Sequence, residues 1–290
     1  MKPKDLCPCH SGRAAGTCCR LPSDGLPQDG PLVSVIIPTC DRPVLLARAL
    51  ESVLAQTYRN LECIVVNDAG ADVQAVLAAY HPCISLSTTV HATRRGLPAT
   101  RNTALDMARG EIIAYLDDDD RFLPDHLARL VQRLSQPGIR FAYTQAEYVK
   151  ETVAGAGQAQ AGTSAVERTR PYEGWRYSKE MLHVFNYIPV NTWGHWSSLL
   201  GEVGPFDTRL GSHEDWEFLL RCARRHGLSQ IACVTVEVHQ RIEADNMLRR
   251  ERLNFADVFR RIYALHDDQG DPRIATARQA MLQRIEAGLI

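Results

Sequence analysis

No stretch of this 290-residue chain comes near the about 20 consecutive apolar residues that a membrane-spanning helix needs, so no transmembrane segment is expected. The opening residues, Met1 to Cys9, contain no apolar signal region. The expected compartment is the cytoplasm, with peripheral association at a membrane left open. Nor is there an excess of either charge. Lys and Arg total 33 against 34 for Asp and Glu, a net charge of -1. A broadly basic surface for nucleic acid is therefore not expected. A Gly-x-Gly-x-x-Gly turn is missing after the first strand, which argues against a dinucleotide-binding dehydrogenase.

What is present suffices for one large α/β domain and a small appendage. Hydrophobic residues make up 45% of the chain, enough for a sizeable core. The nine cysteines are odd in number and read as thiols or metal ligands rather than disulfides. Four of them, Cys7, Cys9, Cys18 and Cys19, crowd into the amino terminus. The Pro-, Gly- and Asp-rich run from Leu21 to Pro31 then reads as a linker.

Beyond it the pattern alternates. Leu32 to Pro38 is a β-branched run, a buried-strand signal. Leu46, Leu50, Val53 and Leu54 have helical spacing over 43–56. Strands are expected at 61–66, 83–88 and 111–116, with helices at 71–80 and 97–109. Gly110 reads as a C-cap of the latter. A helix is expected after the acidic run, with Pro124 near its first turn. The Ala-, Gly- and Ser-rich stretch 151–170 reads as a mobile loop or hairpin tip. A helix is expected at 214–226, a strand at 231–238, and helix from 245 to the end. Alternating strands and helices predict an α/β fold with a mostly parallel sheet covered by helices on both faces; the resemblance set out below implies that this sheet is mixed and Rossmann-like. Ligands would then bind at the carboxyl ends of the strands.

Those ends carry the candidate chemistry. Asp117-Asp118-Asp119-Asp120 crowds carboxylates whose mutual repulsion a divalent cation would relieve. The plainer reading is an acidic turn capping the next helix. Asn67-Asp68 could accept from a base or ribose, or form an ordinary Asx turn. His91 to Asn102 combines arginines with a helix start and suits a diphosphate, or is a surface charge cluster. Glu214-Asp215 offers a general base, or simply acidic capping of a helix.

In order and spacing these motifs resemble the family 2 glycosyltransferases, which have the GT-A fold. The matching residues are Val33 to Thr39, Val65-Val66-Asn67-Asp68, Gly96 with Arg101-Asn102, Tyr115 to Asp120, and Glu214-Asp215-Trp216. The resemblance covers roughly residues 31–243. Asn67-Asp68-Ala69-Gly70 stands where such chains more usually have Asp-Gly-Ser.

The resemblance implies a metal-dependent, inverting transfer of a sugar from a nucleotide-diphosphate donor, usually UDP-linked, to a hydroxyl acceptor. Pro38, Thr39, Asp41 and Asp68 would hold the nucleotide, with Asp68 on the base. Arg101 would face the diphosphate. Asp117 and Asp118 would lie by the ribose or sugar. Asp119, with His239 as a looser match, would bind Mn²⁺ or Mg²⁺. Asp215 would be the catalytic base. The acceptor, whether glycan, lipid-linked, protein or small molecule, would sit against 175–213, where Trp175, Tyr187, Trp193, His195 and Trp196 concentrate aromatic surface. Cys7-Pro8-Cys9-His10 with Cys18-Cys19 resembles the SEC-C zinc motif. It implies structural Zn²⁺ and docking to a protein partner.

The expected organisation is a zinc motif at 1–24, a linker at 25–31, a GT-A domain at 32–244 and a helical extension at 245–290. The rival from another class is a catalytically inactive sugar-nucleotide-binding or scaffold protein. A nucleotidyltransferase is disfavoured, because Pro38-Thr39-Cys40-Asp41 stands where it would have a Gly-rich loop and a basic residue.

Overall fold

The computed structural model describes residues 30–152, 164–242, 255–267 and 270–289. The zinc motif expected at 1–24, with Cys7, Cys9, Cys18 and Cys19, lies outside the described residues, as do most of the linker and the boundary expected at 244/245.

The first strand, β1 (Val33–Thr39), is buried along its whole length, as both faces of an inner strand must be. Pro38 falls beyond its last pair with β4, Ile36↔Tyr115, where a missing N–H is tolerated. Helix α1 (Pro43–Leu54) starts on proline and buries Leu46, Ala49, Leu50 and Val53, one helical face. Then follow β2 (Leu61–Asn67), α2 (Gln74–Tyr80), β3 (Ser85–Val90), α3 (Leu97–Met107) and β4 (Ile112–Tyr115). These strands run parallel to one another, in the order β3-β2-β1-β4.

The sheet then reverses. The next elements are β5 (Arg121–Phe122), α4 (His126–Leu134), β6 (Phe141–Thr152), β7 (Ser164–Thr169), α5 (Lys179–Leu182) and β8 (Trp193–Trp196). After them come α6 (Leu200–Val203), α7 (Glu214–Arg225), β9 (Ser229–Ile242), α8 (Phe255–Leu265) and α9 (Pro272–Glu286). Beyond β4 the order is β8-β6-β9-β5, with β7 on β6. Strand β8 runs antiparallel to both β4 and β6. Of the two expectations for 151–170, a mobile loop or a hairpin tip, the flanking pairing agrees with the second: β6 and β7 pair antiparallel from Tyr148↔Thr169 to Thr152↔Ser164.

Alternation along β1 divides the core. Val33, Val35 and Ile37 face one cluster with Leu46, Leu50 and Leu127. Ile36 faces the other, with Trp193, Trp216 and Phe218. Phe259, Ile262 and Ile285 belong to that second cluster. The carboxy-terminal helices therefore pack into the domain's own core.

Gly110 does not cap α3. The helix ends at Met107, with Ala108 extended. Gly110 lies against β1, where an added Cβ would stand 2.6 Å from both the backbone nitrogen and the hydroxyl of Ser34. Its N–H donates to Ser34 Oγ at 2.8 Å. The glycine is required by close approach of two backbones.

Candidate active site

The carboxyl ends of β1, β2 and β4 lie side by side, and each ends in the polar residues singled out by sequence. At the β2 end, the Asn67 side chain closes the turn, reaching one residue further than an Asx turn does. Its Oδ1 accepts from Gly70 N at 2.9 Å and its Nδ2 donates to Ala71 O at 2.9 Å. Asp41, with φ 58, accepts from Ala71 N at 2.7 Å and pairs with Arg94.

Asp68 is already committed within the protein. It accepts from the N–H groups of Arg95 and Gly96, both at 2.8 Å, and its Oδ1 lies 2.7 Å from His91 Nδ1. Burial alone would raise its pKa, but these hydrogen bonds outweigh burial and hold it below the ordinary carboxylate range. The segment 91–102 was expected to offer N–H groups to an anion. Two of them, those of Arg95 and Gly96, hold the Asp68 carboxylate. Gly96, at φ 85, gives the turn into α3 a conformation that suits glycine.

The acidic run follows β4. Thr39 donates to Asp118 Oδ2 at 2.7 Å. The Arg42 guanidinium bridges Asp118 at 3.1 Å and Asp119 at 2.9 Å. Asp120 accepts from the backbone N–H of His239 at 2.7 Å and from Asn191. Asn191 also accepts from Asp117 N at 2.6 Å. Burial, and the charge of Asp119, push Asp118 up to about 6 against Thr39 and Arg42. Burial, with Asp119 and Asp117, pushes Asp120 well above the usual range.

Arg101 was expected to face the diphosphate. It is instead 1% exposed. One Nη donates to Asp117 at 2.7 Å and the other to Glu214. Burial disfavours its charge, but the two carboxylates raise its pKa further than burial lowers it. Its charge is turned inward, tying the β4 end to the first turn of α7.

That turn carries Asp215. His213, at φ 59, swings the chain into α7. Asp215 is half-buried. Its Oδ2 accepts from Asn186 Nδ2 at 3.0 Å and its Oδ1 from Trp216 N at 2.7 Å. Beside it, Glu214 is pushed up to about 7 by burial first, with Arg101 opposing and Asp215 adding.

Asp119 and His239 are not joined in a ligand cluster. His239 is buried, its Nδ1 2.8 Å from Glu151. Its Nε2 has no hydrogen-bond partner among the described residues and lies 3.6 Å from Glu237. Among the described residues no group of three or more His, Cys, Asp or Glu side chains could hold a metal.

The aromatic expectation needs correction. Trp193 and His195 are fully buried. They sit on β8, between β4 and β6, and their rings pack against Phe141 and Phe218, whereas Trp196 is half-buried. His195 Nε2 lies 2.9 Å from the Tyr115 hydroxyl. Trp175, at 39% exposed, and its neighbours form a separate cluster.

Sequence reasoning gave no role to Arg42, Asn186 or Asn191, and none of their own to His91 and Glu214 beyond the segments they open. Arg42 and Glu214 adjoin residues already singled out, and His91 opens the arginine-rich segment. Asn186 lies in an irregular loop and Asn191 in a single 3₁₀ turn, Val190–Thr192, too short for any periodicity to mark them.

The pattern described as Glycosyl transferase family 2 matches residues 34–199. The chain is 30% identical over 205 residues to the uncharacterized glycosyltransferase YwdF of Bacillus subtilis (strain 168), covering 70% of this chain and 72% of the relative. Its fold is similar to that of S. aureus TarS 1-349 in complex with UDP-GlcNAc. There the TM-score is 0.64 at 20% identity, covering 87% of this chain and 72% of that one. It is also similar to the mannosyltransferase PcManGT from Pyrobaculum calidifontis in complex with GDP-Man and Mn²⁺. That TM-score is 0.62 at 22% identity, covering 91% and 74%. The expected GT-A architecture, with its helical carboxy terminus, is thereby borne out. Among the described residues no helix is long and apolar enough to cross a membrane.

Proposed function

The chain belongs to glycosyl transferase family 2 and is a glycosyltransferase; from that premise we propose that it moves a sugar from a UDP-sugar to a hydroxyl acceptor by a single, inverting displacement. The observation that carries this reading is one juxtaposition. Arg101 joins Asp117, at the strand end where donors bind in such sheets, to Glu214, the neighbour of Asp215.

In this reading Pro38, Thr39, Asp41 and Asp68 form the nucleotide cradle. Asp68 acts through the turn it holds, presenting the start of α3 to the donor. Asp117 and Asp118 flank the ribose and sugar. Asp215, held by Asn186, accepts the acceptor's proton as its oxygen attacks the anomeric carbon. The transition state is oxocarbenium-like. Arg101 fixes the spacing of donor and base. No enzyme nucleophile takes part, so the anomeric configuration inverts.

Mn²⁺ or Mg²⁺ fits the acidic run on its chemistry. Asp118 and Asp120 are pushed up because carboxylates crowd a buried corner, and hard cations prefer such oxygen donors. Asp119 would hold the ion; His239, which joins no ligand cluster with it among the described residues, is left out of the set. When bound, the ion supplies positive charge to the departing diphosphate. The complexes of the similar structures with UDP-GlcNAc, and with GDP-Man and Mn²⁺, support a diphospho-sugar donor and a metal. For Cys7, Cys9, Cys18 and Cys19 the reading stays structural Zn²⁺ and docking to a protein partner.

A second reading, a sugar-nucleotide-binding protein without transfer, draws on Arg42. Its guanidinium already bridges Asp118 and Asp119. Calorimetry with UDP, in Mn²⁺ and then in EDTA, tests both readings on wild type and Asp119→Ala. Metal-dependent binding lost in the variant is the expected result. Absence of binding to UDP, GDP and dTDP would overturn the enzyme reading. Binding without release of UDP from any UDP-sugar would favour the second.

A further inference from the structure

Three successive carbonyls at the end of α5, those of Leu182, His183 and Val184, each accept from a side chain of a different helix. Trp216 Nε1 of α7 donates to Leu182 O at 2.7 Å, Arg278 Nε of α9 to His183 O at 2.8 Å, and the Tyr263 hydroxyl of α8 to Val184 O at 2.7 Å. Carbonyls at a helix C-terminus lack a partner within the helix. Here distant side chains supply the partners, and the chain leaving α5 is held at each residue in turn.

That chain leads to Asn186, whose Nδ2 donates to Asp215 at 3.0 Å and whose Oδ1 accepts from Ile188 N at 3.0 Å. His213 and Trp216, on either side of Asp215 in the sequence, rest on α8. The His213 ring centroid lies 5.1 Å from that of Phe255 and 5.3 Å from that of Phe259, and Trp216 lies 4.8 Å from Phe259. Helices α8 and α9 therefore reach both the loop that holds the Asp215 carboxylate and the turn that carries it.

Arg278 joins the two helices. It is buried, with its guanidinium 4.5 Å from the centre of the Tyr263 ring. Its Nη1 donates to Tyr263 O at 3.4 Å, and its Nη2 lies 3.3 Å from His183 Nδ1. Burial, and then the charge of Arg278, push His183 down to about 4. Its ring is thus neutral near neutral pH, and Nδ1 can accept. An apolar side chain would fill this space without the cost of burying a guanidinium. The planar fork instead fixes where the His183 backbone sits relative to α8 and α9. A general base demands such fixing, since a misplacement of about 1 Å can cost on the order of 10²-fold in rate.

We propose that the carboxy-terminal helices α8 and α9 position the base: Tyr263 and Arg278 hold the loop after α5 so that Asn186 meets Asp215, and they act on transfer through Asn186 without touching substrate. This rests on the transferase reading, with Asp215 as base, and gives that site two positioning residues from outside its own elements.

The test uses the full-chain protein and the isosteric Tyr263→Phe, which removes one hydroxyl and leaves the ring in place. Amide hydrogen exchange at residues 184–188 should rise about three- to ten-fold, the worth of one hydrogen bond, while β1 to β4 keep their wild-type rates. UDP release is then followed with UDP-glucose, UDP-galactose and UDP-GlcNAc. The kcat of Tyr263→Phe should fall about three- to ten-fold with KM for the UDP-sugar unchanged. In an Asn186→Ala background the same substitution should have little further effect, because its route to Asp215 is already cut. Arg278→Lys, which keeps a donor for His183 O, should lose less kcat than Arg278→Met. Unchanged exchange at 184–188, or an equal fall in kcat with and without Asn186, overturns the proposal. Failure of the underlying reading looks different: wild type releases UDP from none of the three sugars, or Asp215→Asn releases it at the wild-type rate.

Discussion

Arg101 and Glu214 form an ion pair that solvent does not reach, with each side chain at most 4% exposed. The same guanidinium holds Asp117. Its planar fork lets one side chain serve two carboxylates from different elements. Replacing Arg101 by Met leaves buried carboxylates uncompensated, which costs on the order of 3–5 kcal/mol. Urea denaturation should register that loss. Lys should rescue little, because a point charge on a flexible stem cannot span both partners. Adding Glu214→Gln to Arg101→Met should recover part of the stability. Strict additivity of the two losses would mean that the pair is not coupled.

Asp215→Asn should lower the rate of sugar transfer by on the order of 10²–10⁴, the usual worth of a positioned general base. UDP affinity should change little, since the carboxylate lies on the acceptor side. Asn186→Ala should have a smaller effect, because it only orients Asp215. The readout is UDP release over a range of UDP-sugar concentrations. Transfer by Asp215→Asn at the wild-type rate would move the base elsewhere.

Arg42 competes for the acidic run. Its guanidinium lies 2.9 Å from Asp119 and 3.1 Å from Asp118, so a divalent cation approaching either carboxylate meets a positive charge. Arg42→Ala should therefore tighten Mn²⁺ binding to the nucleotide-free protein roughly ten-fold, a partly screened interaction of about 1.4 kcal/mol. The intensity of the free Mn²⁺ signal in electron paramagnetic resonance measures this directly. Weaker binding in the variant would instead make Arg42 a support of the metal site.

The strands and the acidic run were legible because each carries a local signal. The β-branched runs at 33–38 and 61–66 are inner strands, and Asp117 to Asp120 follows β4 as its residue types implied. What escaped was long-range. Gly110 reads locally as a helix cap, yet its constraint comes from Ser34, a neighbour across the sheet. Arg101 is marked by the resemblance as an anion ligand, in a segment that also holds Arg94 and Arg95. Its partner Glu214 is 113 residues away, and no local pattern reveals that pairing. The aromatic run at 193–196 reads as sugar-binding surface. Only the distant packing of Phe218 onto β8 turns Trp193 and His195 into core.

Two fully buried histidines make stability depend on acid. Burial pushes His126 down to about 3 and His195 down to about 4, with a hydrogen bond to Trp196 O opposing. Unfolded, both titrate near 6.5. As pH falls below 6.5 the unfolded chain takes up protons that the folded one refuses. The stability each contributes is thus complete above about 6.5 and is lost as pH falls towards 3–4. At pH 5 the loss is about 2 kcal/mol for each. Asp118 and Glu214, pushed up to about 6 and about 7, act with opposite sign in the same window. Their stabilising protonation is present at low pH and is lost as pH rises through those values. The raw curve therefore mixes both groups, and the informative quantity is the difference between variants. Unfolding free energy measured from pH 8 to pH 5 should fall less steeply in His126→Gln, and less again when His195→Gln is added, whatever the baseline stability of either protein. Parallel curves would mean that the histidines are charged in the fold, and the burial argument for both would have to be abandoned.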